Sequence, residues 1–160
     1  QLQSYQLHPV SKTFFVDLWP VPSDQNHLVF ESDQLLIHSM RTDHNKESRC
    51  YRITEKETGK RIVFSGDTRP VPHMVDFAKE ADLLVHEASF LSSHSELANT
   101  YGHSTALDAA KIAAAAHVKR LMMVHFDITT EDVLDVLRAE ADGAFAGHVI
   151  IPNDLDVFVI

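Results

Sequence analysis

The sequence predicts an α/β (α+β) fold with a mixed sheet flanked by helices, and three observations carry that reading. Hairpin-like segments come first and β-α-β units follow. Three short apolar runs, at residues 62–64, 83–85 and 121–124, have the length and composition of buried strands. No repeat or low-complexity segment interrupts the pattern, and 160 residues suit one domain, 1–160, with a sizeable core.

Taken in order, Thr13-Phe14-Phe15-Val16-Asp17-Leu18-Trp19 has the β-branched and aromatic content of a strand, closed by Pro20 and Pro22. Residues 23–26 read as a turn, and residues 27–40 as two short strands split by Glu31-Ser32-Asp33. Residues 41–49 are polar and loop-like, after which Cys50-Tyr51-Arg52-Ile53 returns to strand. The charged stretch 55–60, with Gly59 near its end, is a hairpin connection into Ile62-Val63-Phe64, a strand expected to be covered on both faces. Ser65-Gly66 then breaks the strand, so that Asp67 projects from its end.

Beyond Asp67 the period changes. Pro70 and Pro72 suit a helix's first turn, and Met74, Val75, Phe77 and Ala78 give that helix an apolar face through Glu80. Leu83-Leu84-Val85 is a strand ending at His86-Glu87. Ser104-Thr105 caps an Ala-rich helix reaching about Ala116, and residues 121–124 form a strand ending at His125. Thr129-Thr130 caps a last helix, residues 131–141, with Val133, Leu134 and Leu137 inward. Gly143 and Gly147 loosen the exit, and residues 148–152 and 154–160 read as two closing strands.

Composition narrows the function. A net charge of −9 with neutral histidine argues against passive attraction to nucleic-acid phosphates. One cysteine, Cys50, excludes an internal disulfide framework and points to the reducing cytoplasm. No apolar run approaches the roughly 18–20 residues needed to span a bilayer, so no membrane partner is expected. Histidine is enriched, at 11 residues, and imidazole is both the commonest metal ligand and the usual acid-base group near neutral pH. A chain opening on Gln1 rather than Met reads as processed or as a piece of something longer.

If the three apolar strands are neighbours, Asp67, His86-Glu87 and His125 converge on one rim of the sheet, where open α/β folds place their sites. His44 could reach that rim from the 41–49 loop, with Asp43 beside it. Histidine with carboxylate suits zinc or manganese. Each residue alone also has a plain reading: Asp67 as an Asx turn, His125 as a satisfied structural histidine, His44 as a solvated loop residue. A Glu87–His103 contact would fix the imidazole's tautomer and raise its basicity, making a proton donor. Otherwise His103 merely precedes a helix cap. His8, His27, His73, His94, His117 and His148 have no comparable placement.

Four ordered motifs carry a family resemblance: Phe64-Ser65-Gly66-Asp67-Thr68-Arg69, Leu84-Val85-His86-Glu87-Ala88-Ser89-Phe90, Tyr101-Gly102-His103-Ser104-Thr105, and the stretch 120–126 ending in His125-Phe126. With Asp43-His44 and Tyr51-Arg52-Ile53 before them, they resemble the C-terminal half of ribonuclease Z and its relatives in the metallo-β-lactamase superfamily. The resemblance implies the second half of an αββα sandwich. It implies His44, Asp67 and His125 as metal ligands, with Asp67 bridging two metals, zinc or alternatively manganese. It also implies His103, oriented by Glu87, as proton donor in two-metal phosphodiester hydrolysis.

Two departures qualify those expectations. The family's His-x-His-x-Asp-His motif is absent from these residues, and three ligands hold two zincs poorly, so this chain alone should bind metal weakly and catalyse little. Only residues 54–61 join the Tyr-Arg-Ile strand to the Ser-Gly-Asp strand, where bacterial ribonuclease Z carries its transfer-RNA arm. Together with the acidic charge, this puts tRNA in doubt and favours a related phosphodiesterase acting on a small phosphodiester or RNA. The rival expectations are a non-catalytic assembly module and a hydrolase of another ester class. Half a sandwich also leaves a sheet face bare, so a homodimer or an element swap is expected.

Overall fold

A computed structural model describes residues 26–126 and 131–160. The Thr13–Trp19 strand, most of the 23–26 turn and the Thr129-Thr130 cap therefore lie outside the described residues. The elements run β1 (His27–Glu31), β2 (Leu35–Arg41), β3 (Arg49–Glu55), β4 (Arg61–Phe64), α1 (His73–Phe77), β5 (Leu83–Glu87), α2 (Ser95–Tyr101), α3 (Ala106–Ala115), β6 (Arg120–Val124), α4 (Glu131–Asp142) and β7 (His148–Ile150). A short 3-10 turn, Ser92–His94, leads into α2. The strands form one seven-stranded mixed sheet in sequence order. β1 to β4 pair antiparallel through tight connections, and β4 to β7 pair parallel, as hairpins followed by helical crossovers require.

Alternation along the strands sorts the apolar side chains by face. Cys50, Val63, Leu84, Leu121, Met123 and Val149 point toward the helices and join Met74 and Phe77 of α1, Ala106 to Ala113 of α3, and Leu137 and Ala141 of α4 in one core. The cap expected at Ser104-Thr105 is made by Thr105, and it is a capping box: Thr105 Oγ1 accepts from the Asp108 amide and the Asp108 carboxylate accepts from the Thr105 amide, both at 3.1 Å. That cap fixes where the small Ala-rich face of α3 meets β5 and β6.

The opposite face carries two apolar rows. Phe30, Ile37, Ile53, Ile62 and Leu83 are register partners across five strands, and Tyr51, Phe64, Val85, Met122 and Ile150 across five. Leu83, Met122 and Ile150 cluster there with Ile160, and among the described residues no helix joins them. Phe30, Tyr51 and Phe64 remain exposed, at 49%, 37% and 40%. The expectation that residues 62–64 are covered on both faces is therefore corrected: only Val63 is buried, because among the described residues helices pack on one side of β4 alone.

Other expectations shift for local reasons. Helix α1 stops at Phe77 rather than Glu80, where a left-handed backbone (φ 55°) donates its amide to the Ala116 carbonyl at 2.7 Å. Helix α2 was not anticipated: its seven residues are mostly polar and bury only Ala98. The closing strands shrink to β7 alone, and residues 154–160 form no strand. Pro152 has no amide for a ladder, and after a turn in which Asp156 accepts from the Asn153 amide at 2.9 Å the chain returns to pack Ile160 on the sheet face, leaving Val157 and Val159 exposed.

Candidate metal and acid-base site

Because β4, β5 and β6 are adjacent and parallel, their C-terminal ends deliver Asp67, Glu87 and His125 to one rim, as predicted. Gly66 makes the turn after β4 feasible. Its φ is +60°, and a Cβ there would stand 2.5 Å from the Arg49 carbonyl oxygen, so no other residue fits without displacing the backbone. The Asp67 loop is then stitched to its neighbours. Thr42 donates its hydroxyl to the Asp67 carbonyl at 3.0 Å, the Asp43 amide donates to Thr68 Oγ1 at 3.1 Å, and Ser104 donates to the Thr68 carbonyl at 2.7 Å. Arg69 pairs with the Asp43 carboxylate at 3.1 Å and donates to the Asn99 carbonyl at 2.7 Å. The loop bearing His44 and the segment bearing His103 are thereby both anchored to the Asp67 turn.

Glu87 is the hub. It is 2% exposed, and its Oε1 accepts from the Thr68 amide and from His103 Nδ1, each at 2.9 Å. Its Oε2 accepts from the Ser89 hydroxyl at 2.9 Å and the Ser89 amide at 3.3 Å. A carboxylate acceptor requires that His103 Nδ1 carry the proton, which leaves Nε2 facing outward as a base or ligand atom. The same logic applies to His44, whose Nδ1 donates to the Gly102 carbonyl at 3.0 Å. All of this stands beside a fully buried His86, whose pKa burial pushes down despite the Glu87 carbonyl 2.6 Å from its Nδ1.

The structure brings Asp67, His103 and His125 together, with a ligand atom of each within 4.8 Å of the others. The His44 ring lies beside them, its centre 4.8 Å from that of His103, and the His125 ring centre is 5.3 Å from that of His103. All five residues singled out from sequence, His44, Asp67, Glu87, His103 and His125, thus meet at one rim. The donor set is imidazole nitrogen with carboxylate oxygen, which fits a zinc- or manganese-type ion. His44, Ser89, His103 and His125 line a cleft of about 650 Å³ whose remaining wall is Phe90, Leu97, Tyr101 and Phe126. His44 also borders a neighbouring cavity of about 860 Å³ that includes Arg41, Lys46 and His73.

Residues that sequence reasoning passed over do much of the positioning. Ser89, Ser104, Thr42 and Gly102 act through tertiary hydrogen bonds. Gly102 takes φ +85° as the C-cap of α2, a helix that the sequence did not announce.

A family profile described as a beta-lactamase superfamily domain matches residues 10–126. Curated ribonuclease Z from Natronomonas pharaonis is 38% identical over 104 residues, 65% of this chain and 34% of that protein. Ribonuclease Z from Brevibacillus brevis is 46% identical over 98 residues, 58% of this chain and 31% of that protein. Among solved structures, the metallo-β-lactamase fold protein YhfI of Bacillus subtilis superposes with a TM-score of 0.68 at 25% identity, over 83% of this chain and 52% of that one. The short form of human tRNase Z superposes with a TM-score of 0.66 at 29% identity, over 83% of this chain and 46% of that one. The chain spans about a third of the length of these curated relatives and about half that of these solved structures. Profile, fold and the polar rim at the ends of β4 to β6 agree: the chain belongs to the β-lactamase superfamily, and it is similar to ribonuclease Z.

Proposed function

We propose that residues 1–160 are a single domain forming the C-terminal part of a metal-dependent phosphodiesterase of the ribonuclease Z kind. The observation that carries this reading is the 2.9 Å pairing of buried Glu87 with His103, next to the Asp67 and His125 ligand atoms. In this reading Asp67, His125 and His44 hold zinc, manganese being the alternative. A bound metal supplies Lewis-acid stabilisation of charge at the phosphoryl group. The protein's own work is positional and acid-base. Glu87 holds His103 through Nδ1, stabilises the imidazolium, and leaves Nε2–H to protonate the departing oxygen. Phe90, Leu97, Tyr101 and Phe126 offer an apolar wall to a substrate group beside the phosphodiester.

The substrate class is a small phosphodiester or RNA. Transfer RNA is the less favoured RNA, because β3 and β4 are joined by a tight hairpin in which the Gly59 amide donates to the Glu55 carbonyl at 3.0 Å, and because the net charge is −9. The cytoplasm suits a chain with one buried free cysteine, Cys50, and no helix, among the described residues, long and apolar enough to cross a membrane. For this chain by itself, a second copy covers the exposed Phe30, Tyr51 and Phe64 of the two apolar rows. Each copy offers the same rows, and two such faces stack at about 10 Å as sheets do.

The test is hydrolysis of bis(p-nitrophenyl) phosphate by the chain, with and without added zinc or manganese. Metal-dependent release of p-nitrophenolate that is lost on His103→Ala and on Asp67→Ala supports the reading. Turnover indifferent to both substitutions overturns it.

A further inference from the structure

The geometry points to Ser89 as a positioning residue that ties His125 to the same buried carboxylate that orients His103. This rests on the hydrolytic reading of the site and names a residue that reading does not use. Ser89 is 3% exposed and follows β5, where the Ala88 amide bonds to the Val124 carbonyl at 2.9 Å and so holds the ends of β5 and β6 together. Its hydroxyl has one proton, which goes to Glu87 Oε2 at 2.9 Å. Its oxygen is then free to accept, and His125 Nδ1 lies 2.9 Å from it. The chain of donors therefore runs from His125 Nδ1–H to Ser89 Oγ–H to Glu87, and His125 Nε2 is left bare.

Two further observations say why such a tether is needed. His125 has φ +62°, a left-handed backbone that is strained for a non-glycine residue and persists only where its surroundings over-determine it. The neighbouring carboxylate does not replace it, since Asp67 Oδ1 stands 3.7 Å from the same His125 nitrogen, too far for a hydrogen bond. Without the serine hydroxyl, Nδ1 keeps no acceptor within hydrogen-bond distance among the described residues. The proton is then free to move to Nε2, the nitrogen that must be bare to act as a ligand atom. Ser89 holds it on Nδ1. Glu87 thereby organises both histidines, His103 directly and His125 through one hydroxyl.

The test uses the 160-residue chain and the variants Ser89→Ala and Ser89→Thr, the second keeping the hydroxyl. In metal-free protein, nitrogen-15 NMR of the imidazoles reads the His125 tautomer, and titration with zinc alone reads metal affinity. The expected result is an Nδ1–H tautomer in the parent and in Ser89→Thr, and its loss in Ser89→Ala. Zinc affinity falls 10- to 100-fold in Ser89→Ala and returns in Ser89→Thr. Ser89→Cys, close to serine in volume and a weak acceptor, stands in if the alanine variant does not fold. An unchanged His125 tautomer in Ser89→Ala, or in Ser89→Cys where it stands in, overturns the proposal. A changed tautomer with unchanged zinc affinity supports it and counts instead against His125 as a ligand, so the two failures are distinguishable.

Discussion

The Gly102 carbonyl accepts a hydrogen bond from His44 Nδ1 at 3.0 Å, and a Cβ on Gly102 would stand 2.8 Å from that same nitrogen. One glycine thus both holds the imidazole and makes room for it. Gly102→Ala should destabilise the chain by about 1–3 kcal/mol through its left-handed φ of 85°. It should also push the His44 ring from the cleft. Urea melts check the first effect, and the His44 proton resonances check the second. An alanine variant with unchanged stability and unshifted His44 signals contradicts this account of the glycine.

The role assigned to His103 makes a prediction about leaving groups. A departing oxygen that is already a stable anion needs no proton, so His103→Ala should cost less on a p-nitrophenyl ester than on an alkyl ester. On the alkyl ester the expected loss in kcat is about 10²–10⁴-fold. Glu87→Gln should follow the same pattern, because the amide no longer stabilises the imidazolium. Equal losses on both esters would assign the pair a structural role.

Fully buried His86 sets a pH dependence of stability. Burial lowers its pKa below the ordinary value near 6.5. The native state therefore binds fewer protons than the unfolded chain between the two values, and stability rises with pH across that window. The His86 contribution should be complete above about pH 6.5 and lost as the solution is acidified below it. Thermal melts at pH 8 and pH 5.5 should differ less in His86→Gln than in the parent. An identical difference in both would remove His86 as the cause.

The exposed aromatics on the sheet face predict self-association. Phe64 is 40% exposed and stands second in the row running from Tyr51 to Ile150. Phe64→Glu should shift sedimentation from dimer to monomer, since a charge in an apolar sheet interface is left unpaired. A dispersed monomer in the parent at moderate concentration contradicts the dimer.

The parts of this molecule legible in sequence are those set by short-range chemistry. Ile62-Val63-Phe64, Leu83-Leu84-Val85 and 121–124 announce β4, β5 and β6 by apolar runs, and Asp67, Glu87 and His125 follow at their ends, so the rim could be read. Ser104-Thr105 announces the start of α3 as a cap before an Ala-rich run, and Thr105 is the residue that makes it. Helix α2 escaped because Ser95–Tyr101 buries one side chain and so carries little periodicity. Val157, Phe158 and Val159 look like a strand because β-propensity is local, whereas pairing needs a partner edge, and after the turn at Asn153 and Asp156 the chain packs Ile160 on the sheet face instead. Ser89 and Ser104 escaped because a serine's partner 36 residues away leaves no local signal.

The most direct test of the account is bound metal per chain, by elemental analysis after purification without chelators, in the parent and in Asp67→Ala. The account predicts zinc or manganese in the parent, even if substoichiometric for a partial ligand set, and its loss in a variant that keeps its circular dichroism. Metal retained at the same level in folded Asp67→Ala, or none in the parent even after incubation with zinc, would contradict a metal site built on this rim.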